Sequence, residues 1–433
     1  MKYATLIILA VMISGTSFAA GDVTSLTLEE AQRVALENHP EIKAATFEAQ
    51  SSEEDETIAR SGYYPQVSGN AVRAFADPNT RIAATSGLND PTVIDRGSAG
   101  IGVSQLITDF GRTTALIDSS KAAVEAQRQR TDLSRTEVLL NVTRAYYDTL
   151  RTQAMLNVAQ DTLKTRKTLL EQIKSLRDVQ MKSDLDLSIA NQGVSDAQML
   201  LVKGQNNQAA AMAALSEALG YSEPHDYKLA DAGKPKAPSG NIDLLLDAAL
   251  AQNPELAALK SDYAAAKKAA DAAKRESYPT ISAVGFVGDT PIRTEDQHIN
   301  PTYATGGINL TIPFFTGGKL TADTDKATYK EKAALSRIDI KKNKLVRDIH
   351  TVFDNVQTAY KNIDLTEQMH RNTRQSLELT QARYDIGKSS IVDLSQAQLA
   401  ETQAAVAEAD TRYDYLIQQA VLKYIVGSLV ESP

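Results

Sequence analysis

The sequence predicts a mainly α fold with a small membrane β part: long coiled-coil helical hairpins and four β-strands, in a plan used twice. Three observations predict it. The 13 prolines avoid two long stretches; none falls between Thr92 and Glu223 or between Phe314 and Ser432, and proline breaks helix interiors. An apolar stripe with a 3.5-residue period, the mark of coiling helices, runs through the second stretch. The two halves of the chain also align with each other.

The N-terminus comes first. Lys2 gives a positive start, Ala4 to Ile13 an apolar run, and Ser17-Phe18-Ala19 a small-x-small cleavage site, so residues 1–19 are expected to be a secretory signal. A run of about ten apolar residues is too short for a spanning helix, which needs roughly 20. No later segment is apolar enough to span as a helix, so entry into a membrane must use strands. The chain has no cysteine, which excludes disulfides, thiolate metal sites and a cysteine nucleophile in an exported protein. Its net charge of −8 argues against nucleic acid, whose partners are basic. No Trp and few aromatics, with Ala, Gln, Leu, Lys and Asp dominating the middle stretches, read as coiled coil.

Asn38-His39-Pro40-Glu41-Ile42 matches Gln252-Asn253-Pro254-Glu255-Leu256, and Tyr64-Pro65 matches Tyr278-Pro279, at an offset of 214. From Asp109 onward the offset is 207: Tyr146 pairs with Phe353, Ser183 with Ser390, Asp186 with Asp393 and Gly220 with Gly427. The length difference falls in a loop, where it costs little. Each half begins with a short helix, Leu26–Asn38 or Ile242–Gln252. A second helix follows from Pro40 or Pro254, proline being tolerated at a first helical position, and runs to about Ser61 or Ser277. Strands are expected at Gln66–Phe75, Ser98–Thr108, Thr280–Gly288 and Tyr303–Phe314, joined by loops at Asp77–Gly97 and Asp289–Pro301. Ile308, Leu310 and Ile312 alternate with Gly307, Asn309 and Thr311, as Ile101 and Val103 do with Gly102 and Ser104. Such a pattern suits strands tilted across an outer membrane, with Tyr303, Phe314 and Phe315 as interfacial aromatics.

Glycine is absent from Arg112 to Gln192 and from Lys319 to Ile386, where the longest helices are expected, ending near Arg177 and Tyr384 after ~99 Å. The stripe is Leu345, Ile349, Val352, Val356, Ala359 and Ile363, and its counterpart is Val138, Val142, Ala145, Thr149, Thr152 and Leu156. Each long helix turns at a Ser-x-x-Asp signal, Ser183 with Asp186 and Ser390 with Asp393, which resembles a capping box. The returning helices, ending at Gly220 and Gly427, are too short to match their partners, but a second short helix stacked end to end would make up the length. Four strands cannot stand alone in lipid, because an open sheet leaves unpaired edges. Two chains would give eight strands and three would give 12, and only the wider barrel leaves a lumen.

Leu28-Glu29-Glu30-Ala31, Asn38-His39-Pro40, the paired Tyr-Pro sites, Thr108-Asp109-Phe110-Gly111-Arg112, Phe314-Phe315-Thr316-Gly317-Gly318-Lys319, and Arg383-Tyr384-Asp385-Ile386-Gly387 before Asp393-Leu394-Ser395-Gln396-Ala397-Gln398 occur in an order that resembles the TolC family of outer-membrane efflux and secretion ducts. The resemblance covers essentially the whole mature chain. It implies a homotrimer with a 12-stranded barrel in outer-membrane lipid, a periplasmic tunnel of 12 helices, a tip closed at rest, and docking to a periplasmic adaptor and an inner-membrane pump. Asp109-Phe110-Gly111 matches the kinase metal motif by letters, but no Gly-rich loop or catalytic His-Arg-Asp accompanies it, and the five histidines show no ligand spacing, so no enzyme activity, cofactor or metal is expected. Residues 20–220 and 242–427 form the repeats, 221–241 an equatorial linker and 428–433 a tail. By position, the resemblance places Tyr384, Gly387 and Asp393 at the gate, with Asp186 as the equivalent acid in the first repeat. The first repeat departs from the family pattern, having Leu176-Arg177-Asp178-Val179-Gln180 without the glycine. Some relatives carry an arginine where this chain has Ser389; Arg177 or Lys388 would have to substitute in any tip lock. The competing class is a periplasmic coiled-coil adaptor or scaffold without a pore.

Overall fold

A computed structural model describes residues 25–75, 83–84, 87–88, 93–238, 240–294 and 298–428. The expected signal at 1–19, most of the first expected loop and the tail beyond Ser428 lie outside the described residues. The first half of the chain contains helices α1 (Leu28–Asn38) and α2 (Pro40–Ser61), strands β1 (Gln66–Phe75), β2 (Ala83–Ala84), β3 (Gly87–Leu88) and β4 (Val93–Thr108), and helices α3 (Arg112–Asp178) and α4 (Asp184–Ala218). The second half contains α5 (Ile242–Gln252), α6 (Pro254–Arg275), β5 (Thr280–Asp289), β6 (Ile292–Thr294), β7 (His298–Ile299), β8 (Thr302–Thr311), α7 (Lys319–Asp385) and α8 (Ile391–Val426). The long helices α3 and α7 have 67 residues each, a length of ~100 Å at 1.5 Å per residue.

The apolar stripes are buried as their spacing requires. On α3, Val138 and Val142 are fully covered, and on α7 Leu345, Ile349 and Val356 are nearly so. The threonines of the α3 stripe satisfy their hydroxyls internally. Thr149 Oγ1 donates to Ala145 O at 2.8 Å, and Thr152 Oγ1 to Gln208 Oε1 on α4 at 2.6 Å. A polar atom in a helix interface is then accounted for.

Each long helix runs beside two shorter ones laid end to end, α3 beside α2 and α4, and α7 beside α6 and α8, and α3 also packs against α6 and α8 of the second half. The joints between the short helices depend on glycine. Gly220 has φ +86, and a Cβ there would lie 3.0 Å from His39 Cα. Gly427 has φ +87, with Gln252 O 2.9 Å from the same imaginary atom. Asn253 secures the second joint with both ends of its amide. Its Oδ1 accepts from Leu256 N at 3.0 Å, capping α6, while Nδ2 donates to Ile425 O of α8 at 3.2 Å.

The segment between the halves is strapped to the helices at this level. Leu26 and Leu229 form a parallel bridge. The Tyr146 hydroxyl donates to Leu26 O at 3.0 Å and Ala230 O at 2.8 Å, Tyr415 Oη donates to Lys236 O at 2.5 Å, and Arg412 reaches Asp231 at 3.0 Å and Gly233 O at 2.7 Å. The neighbouring core contains Val138, Val142, Leu215, Leu219 and Val356.

The main sheet is antiparallel in the order β1-β4-β5-β8, with β6 pairing the first residues of β4 and β7 pairing β6. Two strand expectations need correction. The second strand begins at Val93 instead of Ser98, because Asp95 and Arg96 find partners in Arg293 and Ile292; β6 and β7 accordingly occupy part of the expected loop 289–301. The fourth strand ends at Thr311, not Phe314, since Pro313 lacks the N–H a ladder needs.

Candidate functional site

Two regions carry the chemistry: the sheet and the hairpin tips. Residues directly opposite in an antiparallel ladder share a face, so the register sorts the side chains. Val67, Ile101, Val103, Val287, Ile308 and Leu310 fall on one face, each between 41% and 75% exposed. The opposite face carries Ser68, Asn70, Gly102, Ser104, Ser282, Thr305, Gly307 and Asn309 by the same register. One side is therefore mainly apolar and uncovered; the other is mainly small and polar, though Val72, Val284, Phe286 and Tyr303 also lie on it, and such an alternation suits a barrel wall between lipid and water. Tyr303 lies on the polar face, stacked on Phe286 at 5.2 Å, so it is not the lipid-interface aromatic expected from sequence. Phe314 and Phe315 are each 89% exposed beyond the end of β8, and Phe75 is 73% exposed at the other end of the sheet. Among the described residues β1 pairs only with β4 and β8 only with β5, leaving two open edges. No helix among those residues is long and apolar enough to cross a membrane.

At the tips both Ser-x-x-Asp signals form full capping boxes. Ser183 N and Oγ donate to Asp186 Oδ2 at 2.9 and 2.8 Å, and Asp186 N returns a bond to Ser183 Oγ at 3.1 Å. In the second hairpin Ser390 N and Oγ donate to Asp393 Oδ2 at 3.0 and 2.7 Å, and Ser389 Oγ adds a third bond at 3.1 Å. The Ser390 amide, then the two serine hydroxyls, hold the Asp393 carboxyl below the ordinary carboxylate range. A depressed folded-state pKa means that this cap is at full strength at neutral pH and is lost as pH falls through that value. Ser389 thus serves the cap.

Tyr384 is 4% exposed and lies in a cluster with Leu170, Ile173, Ile391 and Leu394. The Lys182 ammonium, from the turn of the first hairpin, sits 3.7 Å from its ring centroid, so this tyrosine joins the two hairpins through its ring. Its hydroxyl has no hydrogen-bond partner among the described residues. Arg177 is held locally by Asp178 at 3.1 Å and Asp184 at 3.5 Å. Lys388 contributes its backbone amide, which donates to Arg383 O at 2.7 Å and closes the end of α7. Farther from the tip the hairpins are tied by Arg166 to Gln398 and by Arg151 to Asp410 at 3.2 Å, while His370 spans Glu401 and Glu408 within the second hairpin.

Gly387 has φ +74, the left-handed turn that ends a helix without penalty at glycine. In the first repeat Gln180 adopts the same conformation, with φ +63, and donates its amide to Arg177 O at 2.8 Å. The missing glycine has thus not changed the turn; it leaves a strained residue. Gln180→Gly should stabilise the protein by about 1 kcal/mol, read as a shift in the urea midpoint at constant slope; an unchanged or lowered midpoint would show that the strain is not there.

Sequence reading overlooked two anchors. Asp109, only 6% exposed, accepts from Gly111 N at 3.1 Å and from Thr113 N and Oγ1 at 2.7 and 2.6 Å, which starts α3. Arg275 Nη1 bridges Phe110 O at 3.3 Å and Gly111 O at 3.1 Å, locking the start of α3 to α6. The Asp-x-x-x-Thr spacing was the available signal for the first; the second is a contact across 164 residues.

The outer membrane efflux protein family model matches residues 32–221 and 245–428, once on each half. Outer membrane protein TolC of Vibrio cholerae is 25% identical over 414 residues, covering 93% of this chain and 91% of that protein. A membrane protein from Pseudomonas aeruginosa superposes with a TM-score of 0.80 at 17% identity, covering 92% of this chain and 93% of its own. The Campylobacter jejuni CmeC outer membrane channel gives 0.77 at 18% identity, covering 98% and 94%.

Proposed function

This chain belongs to the outer membrane efflux protein family, and from that premise we propose that three copies close into a passive duct through which a pump and its periplasmic adaptor discharge cargo. The outer-membrane exit duct is the family's activity; the trimer, the partners and the gate are our reading. The observation that carries it is the sheet with two open edges and one bare apolar face. Unpaired edge amides and carbonyls cost several kcal/mol each in lipid, so β1 of one copy must pair with β8 of the next. Two copies would make a barrel nearly filled by side chains, whereas three leave room for a lumen. The small and polar face then lines the water path. A coiled-coil scaffold without a pore has no use for the bare apolar face.

The gate in this reading lies at the tips. Three copies of Asp393 and Asp186 ring the axis, and a ring of carboxylates attracts cations and repels anions. The depressed pKa of Asp393 keeps that charge in place at neutral pH. Tyr384 and Lys182 hold the second hairpin against the first, Gly387 sets its turn, and opening releases those contacts as α7 and α8 swing outward. Arg177 and Lys388 supply the nearby positive charge. Cargo, whether efflux substrate or type I secretion protein, is chosen by the pump.

Two measurements test this. Fractionation should recover the protein in outer-membrane detergent extracts as a heat-sensitive trimer, and a soluble periplasmic monomer would reject the duct. In planar bilayers the wild type should show small cation-preferring openings. Asp393→Ala should lower the cation preference several-fold, and Asp393→Asn, which keeps an acceptor for the cap, should do the same. Unchanged selectivity in both removes Asp393 from the gate.

A further inference from the structure

About 21 Å along α7 from Tyr384, at 1.5 Å per residue, a charged cleft of about 420 Å³ opens where α3, α7 and α8 meet. His370 stands in it with its two ring nitrogens turned to two carboxylates of α8. Its Nε2 lies 3.3 Å from Glu401 Oε1, and its Nδ1 meets Glu408 Oε2. A neutral imidazole has one N–H and one lone pair, and only the imidazolium donates from both nitrogens. Ionised carboxylates accept and cannot donate, so the full set of bonds exists only while His370 carries its second proton. The His370, Glu401 and Glu408 side chains are 26%, 26% and 39% exposed. A carboxylate left idle there is only partly compensated by water and will take another donor within reach.

That donor is Arg166 on α3. Its Nη1 donates to Gln398 Oε1, one turn before Glu401 on α8. Burial lowers the Arg166 pKa, and the charges of Asp196 on α4 and Glu401 on α8 pull against that shift. Gly193 gives the guanidinium its room, since a Cβ there would lie 3.4 Å from Nη1. The other cations of α7 near the cleft are taken within their own helix, Arg374 by Glu378 at 3.5 Å and Arg371 by Glu367 at 3.6 Å. Asp161 of α3 opens onto the same space. Glu401 therefore has two suitors, one on α7 that is cationic only when protonated and one on α3 that is always cationic.

We propose that His370 is a pH-dependent selector for Glu401 and, through it, for opening of the duct. Protonated, it binds Glu401 and Glu408 together and pins α7 to α8. Neutral, it keeps Glu408 and releases Glu401 to Arg166, which ties α8 to α3. Histidine ordinarily changes charge between pH 5 and 8, a window in which Asp393, held below the carboxylate range, stays ionised. The proposal rests on the gate reading, in which α7 and α8 swing outward as a pair. Acid then frees the seam that has to slide, and alkali fastens it.

The test is the frequency of openings of the purified full-length protein in planar bilayers at about pH 6 and about pH 8. The wild type should open at least about threefold more often at the lower pH. His370→Gln should stay at the low, alkaline level at both, whereas Arg166→Gln and the isosteric Glu401→Gln should stay at the high, acid level at both. His350→Gln, an exposed histidine elsewhere on α7, should keep the full response. A response that survives in His370→Gln, or a loss of it in His350→Gln, overturns the selector. Wild-type openings that do not change with pH sink this switch and leave the duct standing; a wild type that never opens at either pH takes the duct reading down with it.

Discussion

Gly427→Val is expected to lower stability by ~3 kcal/mol or more and to leave no trimer in outer-membrane detergent extracts. Two costs add. A β-branched residue held at φ +87 costs ~1–2 kcal/mol, and the new Cβ would meet backbone that cannot rotate away, Gln252 O at 2.9 Å and its carbonyl carbon at 3.1 Å. Relief requires the end of α8 to part from the start of α6, which also breaks the Asn253 bond to Ile425 O. Gly387→Val serves as the internal control. Its φ is +74 but nothing lies within 4 Å of the added atom, so only the conformational cost of ~1–2 kcal/mol applies. Urea denaturation of both variants separates the terms. Equal losses would mean that the joint accommodates a side chain and that the close approach has no energetic weight.

Tyr146→Ala should cost ~3–5 kcal/mol, the range for emptying an aromatic site in a core. The side chain is 2% exposed and its hydroxyl is the shared donor to Leu26 O and Ala230 O. Tyr146→Phe keeps the ring and removes the donor to Ala230 O, while Leu26 O still accepts from Ala230 N, a loss of ~1–3 kcal/mol. The pair of variants thus divides packing from hydrogen bonding. Burial pushes the Tyr146 hydroxyl up to about 12. A raised folded-state pKa leaves its contribution intact below the ordinary value of 10.0 and removes it as pH climbs from there toward about 12. Urea midpoints measured from pH 8 to 11 should fall more steeply in the wild type than in Tyr146→Phe; parallel curves would show that the hydroxyl ionises as freely folded as unfolded.

Much of the helical architecture was legible because it is written in periodic and local chemistry. The 4-3 stripe through Leu345, Ile349 and Val356 names the buried face of α7, and Ser390 with Asp393 names the turn of its hairpin, each within a span that the chain controls by itself. The alternation through Ile308 and Leu310 likewise named one face of β8. What was not legible depends on distant partners. The first residues of β4 begin with two β-branched types, but Asp95, Arg96 and Gly97 interrupt the signal; they pair because β1 and β6 lie on either side of them. Gln180 belongs to a residue type that rarely turns left-handed, yet the capping box just after it and the packing of both helices force it there. Tyr384 was placed at the tip by its neighbours in sequence, but that its ring meets Lys182 of the other hairpin follows only from how α3, α4 and α7 come together. The two bonds of Asn253 were not read from sequence, and the one to α8 depends on a segment 172 residues away.

The joints between short helices lie beside uninterrupted stretches of the long ones. Gln252 and Asn253 come at the level of Leu345 and Ile349, in the middle of α7, and His39 and Gly220 face Asn141 and Arg144, in the middle of α3. This is how a carpenter laps timbers, with no seam running through the full thickness of the wall. A column built so resists buckling at its waist, where the linker also girdles it, and bending is displaced to the free ends, where a single five-residue turn closes each hairpin. The stiffness of the shaft and the freedom of its mouth thus come from one choice, where the chain is cut and where it is left whole.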